Sequence, residues 1–582
     1  MLLEKINSPS DLKKLSIDEL TDLAVEMRRA LMNRLTKKGG HFGPNFGFVE
    51  ATIALHYVFD SPNDKFVFDV SHQSYCHKML TGRKDAYLDE AKFNEVSGYT
   101  NPDESEHDFF NVGHTSTSVS LASGLAKARD LKGEKSNIVA IIGDGSLSGG
   151  EALEGIDYIG EQDTNFIMVV NDNDMSIAEN HGGLYKNLKE LRDSDGKCPN
   201  NIFKAFGLDY VYVADGHDLK KLIEVFQKVK DIDHPIAVHL NTVKGKGYKP
   251  AETHKEPWHW CAPFKEGLEF WTEGRQSKIG YDSLTRDFLL EKMKNDPKVC
   301  TIAAGIPTNI GFTREFRLQA GKQFVDVGIA EEHAVALASG MAKNGGKPVF
   351  ATHSSFFQRT YDQVAQDLCI NSNPATLLVN TASVYGMNDV THLGIYDIPM
   401  LSNIPNLVYL APTNAEEYFA MLDWSIEQDK YPVAVRIPCN GVIHTDKEVQ
   451  KDYSDLNKYQ TVQSGSKIAV LALGDFFQLG EATAKEIEER SDVKPTLINP
   501  RFITGLDEKL LEELKKSHTT VVTIEDGSIE GGFGEKIARF YGPSGMKVFN
   551  YGFKKEFVDR YVAKELMEKN RLSPSLIADD VL

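Results

Sequence analysis

Residues 137–173, NIVAIIGDGSLSGGEALEGIDYIGEQDTNFIMVVNDN, decide the fold. NIVAIIG is an apolar, β-branched run that ends in a glycine turn, the pattern of a strand buried on both faces. ALEGIDYIGEQ follows with helical periodicity, and NFIMVV is a second buried run. The stretch therefore predicts one βαβ unit with two parallel strands. Gly143-Asp144-Gly145 closes the first strand and Asn171-Asp172-Asn173 the second, so both triplets leave the same carboxyl edge of the sheet, where ligands of such sheets bind. Asp144 and Asn173 offer the oxygen donors that suit Mg²⁺ or Ca²⁺. Gly143 and Gly145 allow backbone N–H groups close to a diphosphate, and the helix after Ser148-Gly149-Gly150 turns its positive end toward it. Each triplet taken singly also reads as an ordinary turn; the pair, with twenty-nine positions from Asp144 to Asn173, reads as a metal-diphosphate cradle.

The same alternation of buried strands and amphipathic helices recurs along the chain. KPVFATHSS (347–355) and ATLLVNTA (375–382) are strand-like, as are KIAVLALGDF (467–476), KPTLINPRF and TTVVTIEDG. At 582 residues the chain exceeds a single hydrophobic core. The expectation is an α/β protein of three doubly wound domains with mainly parallel sheets, spanning residues 1–265, 279–445 and 463–582. Residues 252–278, rich in Trp, Pro and Gly, read as a connection, and 444–462 shows no strand or helix period.

A net charge of −19 excludes a nonspecific nucleic-acid surface. No run approaches the roughly 18 apolar residues of a membrane span. The six cysteines form no CxxC pair, which indicates neither zinc nor a disulfide framework and points to a reducing cytoplasm.

The chain resembles the 1-deoxy-D-xylulose 5-phosphate synthase family of the transketolase superfamily. The resemblance runs from INSPSDLKKLS (6–16) through GGHFGPNFGF, DVSHQSYCHKMLTGR, VGHTSTSVS, GDGSLSGG, NDNDMSI, GKGYKPAE, VGIAEEHAV and FFQRTYDQ to IEDGSIEGGFGEKI. It implies a thiamine diphosphate-binding, transketolase-like fold, thiamine diphosphate and Mg²⁺ as cofactors, and a cytoplasmic homodimer. The implied reaction forms a two-carbon adduct from pyruvate and condenses it with an aldehyde such as glyceraldehyde 3-phosphate or a non-phosphorylated analogue. Ketol transfer from a ketose donor, as in transketolase, and a non-catalytic cofactor-binding homologue are the alternatives.

The resemblance places the activating glutamate at Glu331, with Glu332 its neighbour. It places metal ligands at Asp144, Asn173 and the Met175 carbonyl, and cofactor contacts at His72, Gly113, His114, Gly143, Gly145, Ser146, Lys244, His259 and Phe356. His41, His392 and Arg359 take catalytic positions. His107 and His254 match no motif.

The acceptor end departs from the family. The arginines that hold the acceptor phosphate fall on Thr381 and Cys439, and a third family arginine falls on Pro102. The family's tyrosine and aspartate near the reacting centre fall on His353 and on Asn388 or Asp389. The chain is also shorter than the family between SIAENHGG and GLDYVYV.

Overall fold

The computed structural model describes residues 1–265 and 280–582. These form two compact units: residues 1–265 with Gly328–Ala330, and residues 280–327 with 331–582.

The first unit is built on a five-stranded parallel sheet. Its strands are β1 (Lys65–Phe68), β2 (Ile138–Gly143), β3 (Phe166–Asp172), β4 (Asp209–Val213) and β5 (Pro235–Asn241), in the order β1-β2-β3-β5-β4. β2 and β3 are the two runs expected from residues 137–173, and helix α1 (Gly150–Gly160) joins them. Every residue of β3 is buried, which is why Phe166–Val170 is continuously apolar rather than alternating, before the polar Asn171-Asp172 at its end. Gly143 pairs with Asn171, so the two polar triplets leave the sheet side by side.

The segment 252–278 differs from expectation in its described part. Trp258 is fully buried against Phe42 and Phe264, and Trp260–Cys261 pairs antiparallel with Gly40–His41. Burial of a large indole outweighs the loop-like composition and draws residues up to 265 into the first unit; residues 266–278 of that segment lie outside the described residues.

The second unit holds two sheets. One is wholly parallel: β6 (Val299–Ala303), β7 (Phe324–Asp326), β8 (Lys347–His353), β9 (Thr376–Asn380), β10 (Val408–Leu410) and β11 (Val433–Arg436), ordered β10-β11-β9-β8-β6-β7. Helix α2 (Glu331–Lys343) follows β7 and packs Ala334, Val335 and Ala338 into the core.

The other sheet comprises β12 (Gln460–Gln463), β13 (Lys467–Ala472), β14 (Thr496–Asn499), β15 (His518–Ser528) and β16 (Lys547–Phe553), ordered β12-β14-β13-β15-β16. Only β12 is antiparallel, and it falls partly within the stretch expected to lack structure. As an edge strand with no buried residue and a bulge between Thr461 and Gln463, it tolerates the polar residues that hid it. No helix among the described residues is long and apolar enough to cross a membrane.

Candidate functional site

In the first unit the carboxyl edge of β2 and β3 gathers oxygen atoms. Asp144 is buried and accepts from the Met175 N–H (3.0 Å) and Asn180 Nδ2 (2.7 Å). Burial, reinforced by the like charge of Asp172, pushes its carboxyl up to about 8. Asp172 is held below the usual carboxylate range despite its own burial, because His239 Nε2 (2.9 Å) and Arg192 Nη1 (2.8 Å to Oδ1, 2.6 Å to Oδ2) bind it, while Arg192 Nη2 donates to Asp174 (2.7 Å). Asn173 Oδ1, Asn180 Oδ1 and Ser176 Oγ are buried atoms with no hydrogen-bond partner. An Asp carboxylate at the end of β2, with an Asn oxygen and the Met175 carbonyl after β3, is the hard donor set of an octahedral ion that also takes phosphate oxygens. Among the described residues no cluster of three His, Cys, Asp or Glu offers another metal site.

The glycines fit the cradle differently. A Cβ on Gly145 would lie 2.9 Å from the Ser176 side chain, so the turn itself requires glycine there. A Cβ on Gly143 would meet nothing within 4 Å, which leaves open space beside the strand end. Ser146 sits in the same turn, its carbonyl accepting from Ser116 Oγ (2.8 Å). Gly113 and His114 lie in the loop before the helix Ser118–Lys132.

Lys244 links this cradle to a group of imidazoles. It is buried, donates to the Ser176 carbonyl (2.6 Å), and burial pulls its ammonium down to about 7 while Asp144 raises it. His41, His72 and His259 stand together, with ring centroids 5.1 Å (41–72), 5.2 Å (72–259) and 5.7 Å (41–259) apart. Burial lowers all three, His41 to about 4, so they are neutral imidazoles. The pairing of Gly40–His41 with Trp260–Cys261 brings His41 and His259 together from opposite ends of the unit's sequence.

In the second unit, adjacent strands β11, β9 and β8 place Cys439, Thr381 and His353 along one carboxyl edge, and α2 opens with Glu331. Glu331 is buried, its Oε2 lacks a hydrogen-bond partner, and Arg359 Nη1 lies 4.0 Å away. Burial pushes this carboxyl up to about 7, more than Arg359 lowers it. Glu332 is half-buried, so of the two adjacent carboxylates Glu331 is the enclosed one. A buried carboxyl ready to share a proton and lacking a partner is what a pyrimidine ring nitrogen would complete.

Phe356 presents its ring between His353 (5.3 Å) and His392 (5.5 Å). His353 Nδ1 is 2.7 Å from Thr381 Oγ1, and the Cys439 thiol meets the Thr381 backbone. The three altered positions Thr381, Cys439 and His353 thus form one contiguous patch. Arg436, at the end of β11, is consumed by Asp397 and Asp526.

Sequence reasoning missed several partners: Asn180 and Ser176 beside Asp144, the Asp172–His239–Arg192 cluster, and Tyr99, whose ring lies 5.7 Å from that of His41. Asp172 carried a signal, as the centre of the Asn-Asp-Asn triplet; Tyr99 carried none. Of the two unmatched histidines, His107 bonds Ser61 Oγ (2.8 Å) and His254 ends a short helix over Lys249–Thr253.

A family model described as 1-deoxy-D-xylulose-5-phosphate synthase matches residues 3–198 and 195–242. Models for the transketolase pyrimidine binding domain and the transketolase C-terminal domain match 277–441 and 457–552. The 1-deoxy-D-xylulose-5-phosphate synthase of Caldanaerobacter subterraneus subsp. tengcongensis is 38% identical over 620 residues, covering 100% of this chain and 99% of its own. That of Clostridium botulinum (strain Alaska E43) is 38% identical over 623 residues, with the same coverage of 100% and 99%. Among solved structures, a Pichia stipitis transketolase with sedoheptulose 7-phosphate is 16% identical at a TM-score of 0.45, covering 97% of both chains. A Campylobacter jejuni transketolase is 17% identical at 0.44, covering 97% of this chain and 99% of its own.

Proposed function

Because this chain belongs to the 1-deoxy-D-xylulose-5-phosphate synthase family, we propose that it is a thiamine diphosphate-dependent transferase that decarboxylates pyruvate and joins the two-carbon unit to glyceraldehyde 3-phosphate. The observation that carries this reading is the Glu331 carboxyl: buried, unpartnered at Oε2 and raised to about 7. The coenzyme, when bound, supplies a carbanion equivalent. Glu331 holds a proton at the coenzyme's pyrimidine nitrogen, and Phe356 offers a face for the ring to stack on. Asp144, Asn173 and the Met175 carbonyl would hold Mg²⁺, with the diphosphate beside Gly143, Gly145, Ser146 and Lys244.

His41, His72 and His259 are neutral, which suits them to exchange protons with substrate oxygens. His114 and His392 extend the same work, and Arg359 restrains Glu331. Domain limits of 1–265, 279–445 and 463–582 are part of this reading; the separate sheets support three domains, with Gln460–Gln463 already pairing in the last of them. A homodimer in the cytoplasm is part of the same reading; six unpaired cysteines support the location.

The acceptor end is distinctive, since Thr381 and Cys439 bring no positive charge to the patch they share. CO₂ release from pyruvate, measured with glyceraldehyde 3-phosphate as acceptor and with xylulose 5-phosphate as rival donor, tests the reading. Turnover of xylulose 5-phosphate without CO₂ release would instead establish ketol transfer.

A further inference from the structure

We propose that His353 is a further catalytic residue, taking a substrate hydroxyl proton at Nε2, and that Thr381 is the positioning residue that orients it. This inference rests on the synthase reading above.

The sheet register sets the two side by side. His353 is the last residue of β8 and pairs with Asn380, the last residue of β9, so Thr381 leaves the sheet next to it. His353 Nδ1 lies 2.7 Å from Thr381 Oγ1, and Thr381 Oγ1 donates to the Asn380 carbonyl (2.8 Å). A hydroxyl has one proton to give, and a carbonyl can only accept. Sending the Thr381 proton to His353 instead would leave two oxygens 2.8 Å apart with no hydrogen between them. Thr381 therefore turns a lone pair toward His353, and the contact requires a proton on Nδ1. In the neutral imidazole the second nitrogen, Nε2, then carries the lone pair. One hydroxyl thus fixes the tautomer, as an orienting third group does for a catalytic base.

The backbone is arranged for this contact. Thr381 is β-branched yet left-handed (φ +52°), a costly conformation that persists only where the surroundings impose it. A Cβ on Gly386 or Gly394 would lie 2.2 Å from the Thr381 carbonyl, and the Ser383 N–H donates to the Gly394 carbonyl (2.7 Å). The loop that follows therefore closes tightly onto Thr381. The Thr381 N–H is bound in turn by Asn380 Oδ1 (2.7 Å).

His353 also stands where a base has work to do. It is half-buried, and its ring lies 5.3 Å from that of Phe356, the face offered to the coenzyme ring. His392 meets the same ring (5.5 Å), and Arg359 lies on the turn Phe356–Thr360. On the far side of Thr381 stand the Cys439 thiol and the Asp475 carboxyl, which accepts the Cys439 N–H (2.9 Å). Only a proton moves at His353. Nε2 takes it from a hydroxyl as that oxygen becomes the product's carbonyl. The imidazolium, held at Nδ1–H by Thr381, returns it to the carbonyl oxygen of the next substrate as that oxygen becomes a hydroxyl.

The test reads the tautomer and the chemistry separately. In the coenzyme-free full-length protein, ¹⁵N NMR of the imidazoles, with the His353 signals identified by their loss in H353Q, should show the proton on Nδ1 and none on Nε2 at alkaline pH. T381S should keep that signature and T381V should lose it. A neutral wild-type imidazole protonated at Nε2 would overturn the proposal. In turnover of pyruvate with D-glyceraldehyde 3-phosphate, H353Q should lower kcat about 100- to 10,000-fold and remove the acid limb of its pH profile. T381V should move that limb to lower pH, since the imidazolium loses its acceptor, and T381S should restore it. A wild-type acid limb in H353Q would also overturn the proposal. A wild type that releases no CO₂ from pyruvate would remove the synthase reading and the catalytic role with it, whatever tautomer His353 holds.

Discussion

Glu331 Oε2 and Arg359 Nη1 lie 4.0 Å apart in a buried setting, yet the carboxyl is raised to about 7 rather than lowered. Desolvation therefore exceeds the attraction of one guanidinium at that distance. In the unfolded chain the same group titrates near its ordinary value, so between that value and about 7 the folded protein binds the extra proton. Stability conferred by the neutral carboxyl is present at low pH and lost as pH rises. Glu331→Gln should accordingly raise the stability of the coenzyme-free protein by up to about 3 kcal/mol above pH 8, and by little at pH 5. Denaturant melts at the two pH values check this. The same variant should lose at least about 100-fold in kcat; a variant with wild-type turnover would exclude Glu331 as the activating acid.

Asp144 lies in the field of Asp172, a pairing that favours a bound cation over an empty carboxylate. Asp144→Asn should leave the coenzyme-free protein as stable as wild type or more so, since a buried like charge is removed. It should also abolish the Mg²⁺-dependent part of the thermal shift that thiamine diphosphate produces. Differential scanning calorimetry with and without EDTA separates the two effects. A full Mg²⁺-dependent shift in the variant would remove Asp144 from the metal site.

Much of this site was legible because buried parallel strands must be apolar along their whole length, and polar residues that end them stand out. Val169-Val170 followed by Asn171-Asp172-Asn173 is such a boundary, and it lies beside the Gly143-Asp144-Gly145 turn as its spacing predicts. What stayed hidden depends on long-range pairing. The edge strand at Gln460–Gln463 needs no apolar pattern, because none of its residues is buried. Trp258 looked like loop punctuation and is core. The stretch from Asp559 to Tyr561 meets Asn388 and Val390 across roughly 170 residues of sequence, and no local periodicity encodes such a contact.

The loop carrying Tyr99 is another long-range case. Lys78 is fully buried and donates to Glu104 Oε2 (2.5 Å) and Ser97 Oγ (3.3 Å), while the Ser97 N–H reaches Glu104 Oε1 (2.6 Å). Ser97 Oγ in turn bonds the Tyr99 carbonyl (2.6 Å), so the ion pair fixes the residue whose ring abuts His41. Glu104→Ala strands a buried ammonium and should cost about 3–5 kcal/mol. Lys78→Met with Glu104→Leu removes both charges and should restore much of that stability. If Tyr99 positions His41, the double variant still shows an altered pH profile of kcat/KM with wild-type coenzyme affinity. A wild-type profile would limit the clamp to a structural role.

Arg436 poses a sharper electrostatic question, since its guanidinium binds Asp397 (2.9 Å) and Asp526 with all three groups buried. The Tyr409 hydroxyl adds a bond to Asp397, and Asp526 Oδ2 has no partner. Two carboxylates share one cation, so the cluster carries net negative charge inside the second unit and depends wholly on Arg436. Burial already raises Asp397 above its ordinary range. Arg436→Met leaves both acids uncompensated, with an expected loss of about 3–5 kcal/mol at pH 8. Removing the cation raises the Asp397 carboxyl further, so protonation on acidification neutralises it while the wild-type protein loses its ion pair with Arg436. The stability gap between variant and wild type should therefore narrow from pH 8 to pH 5. Urea melts at both pH values measure it, and a gap that widens toward acid would mean that Arg436 contributes packing rather than charge.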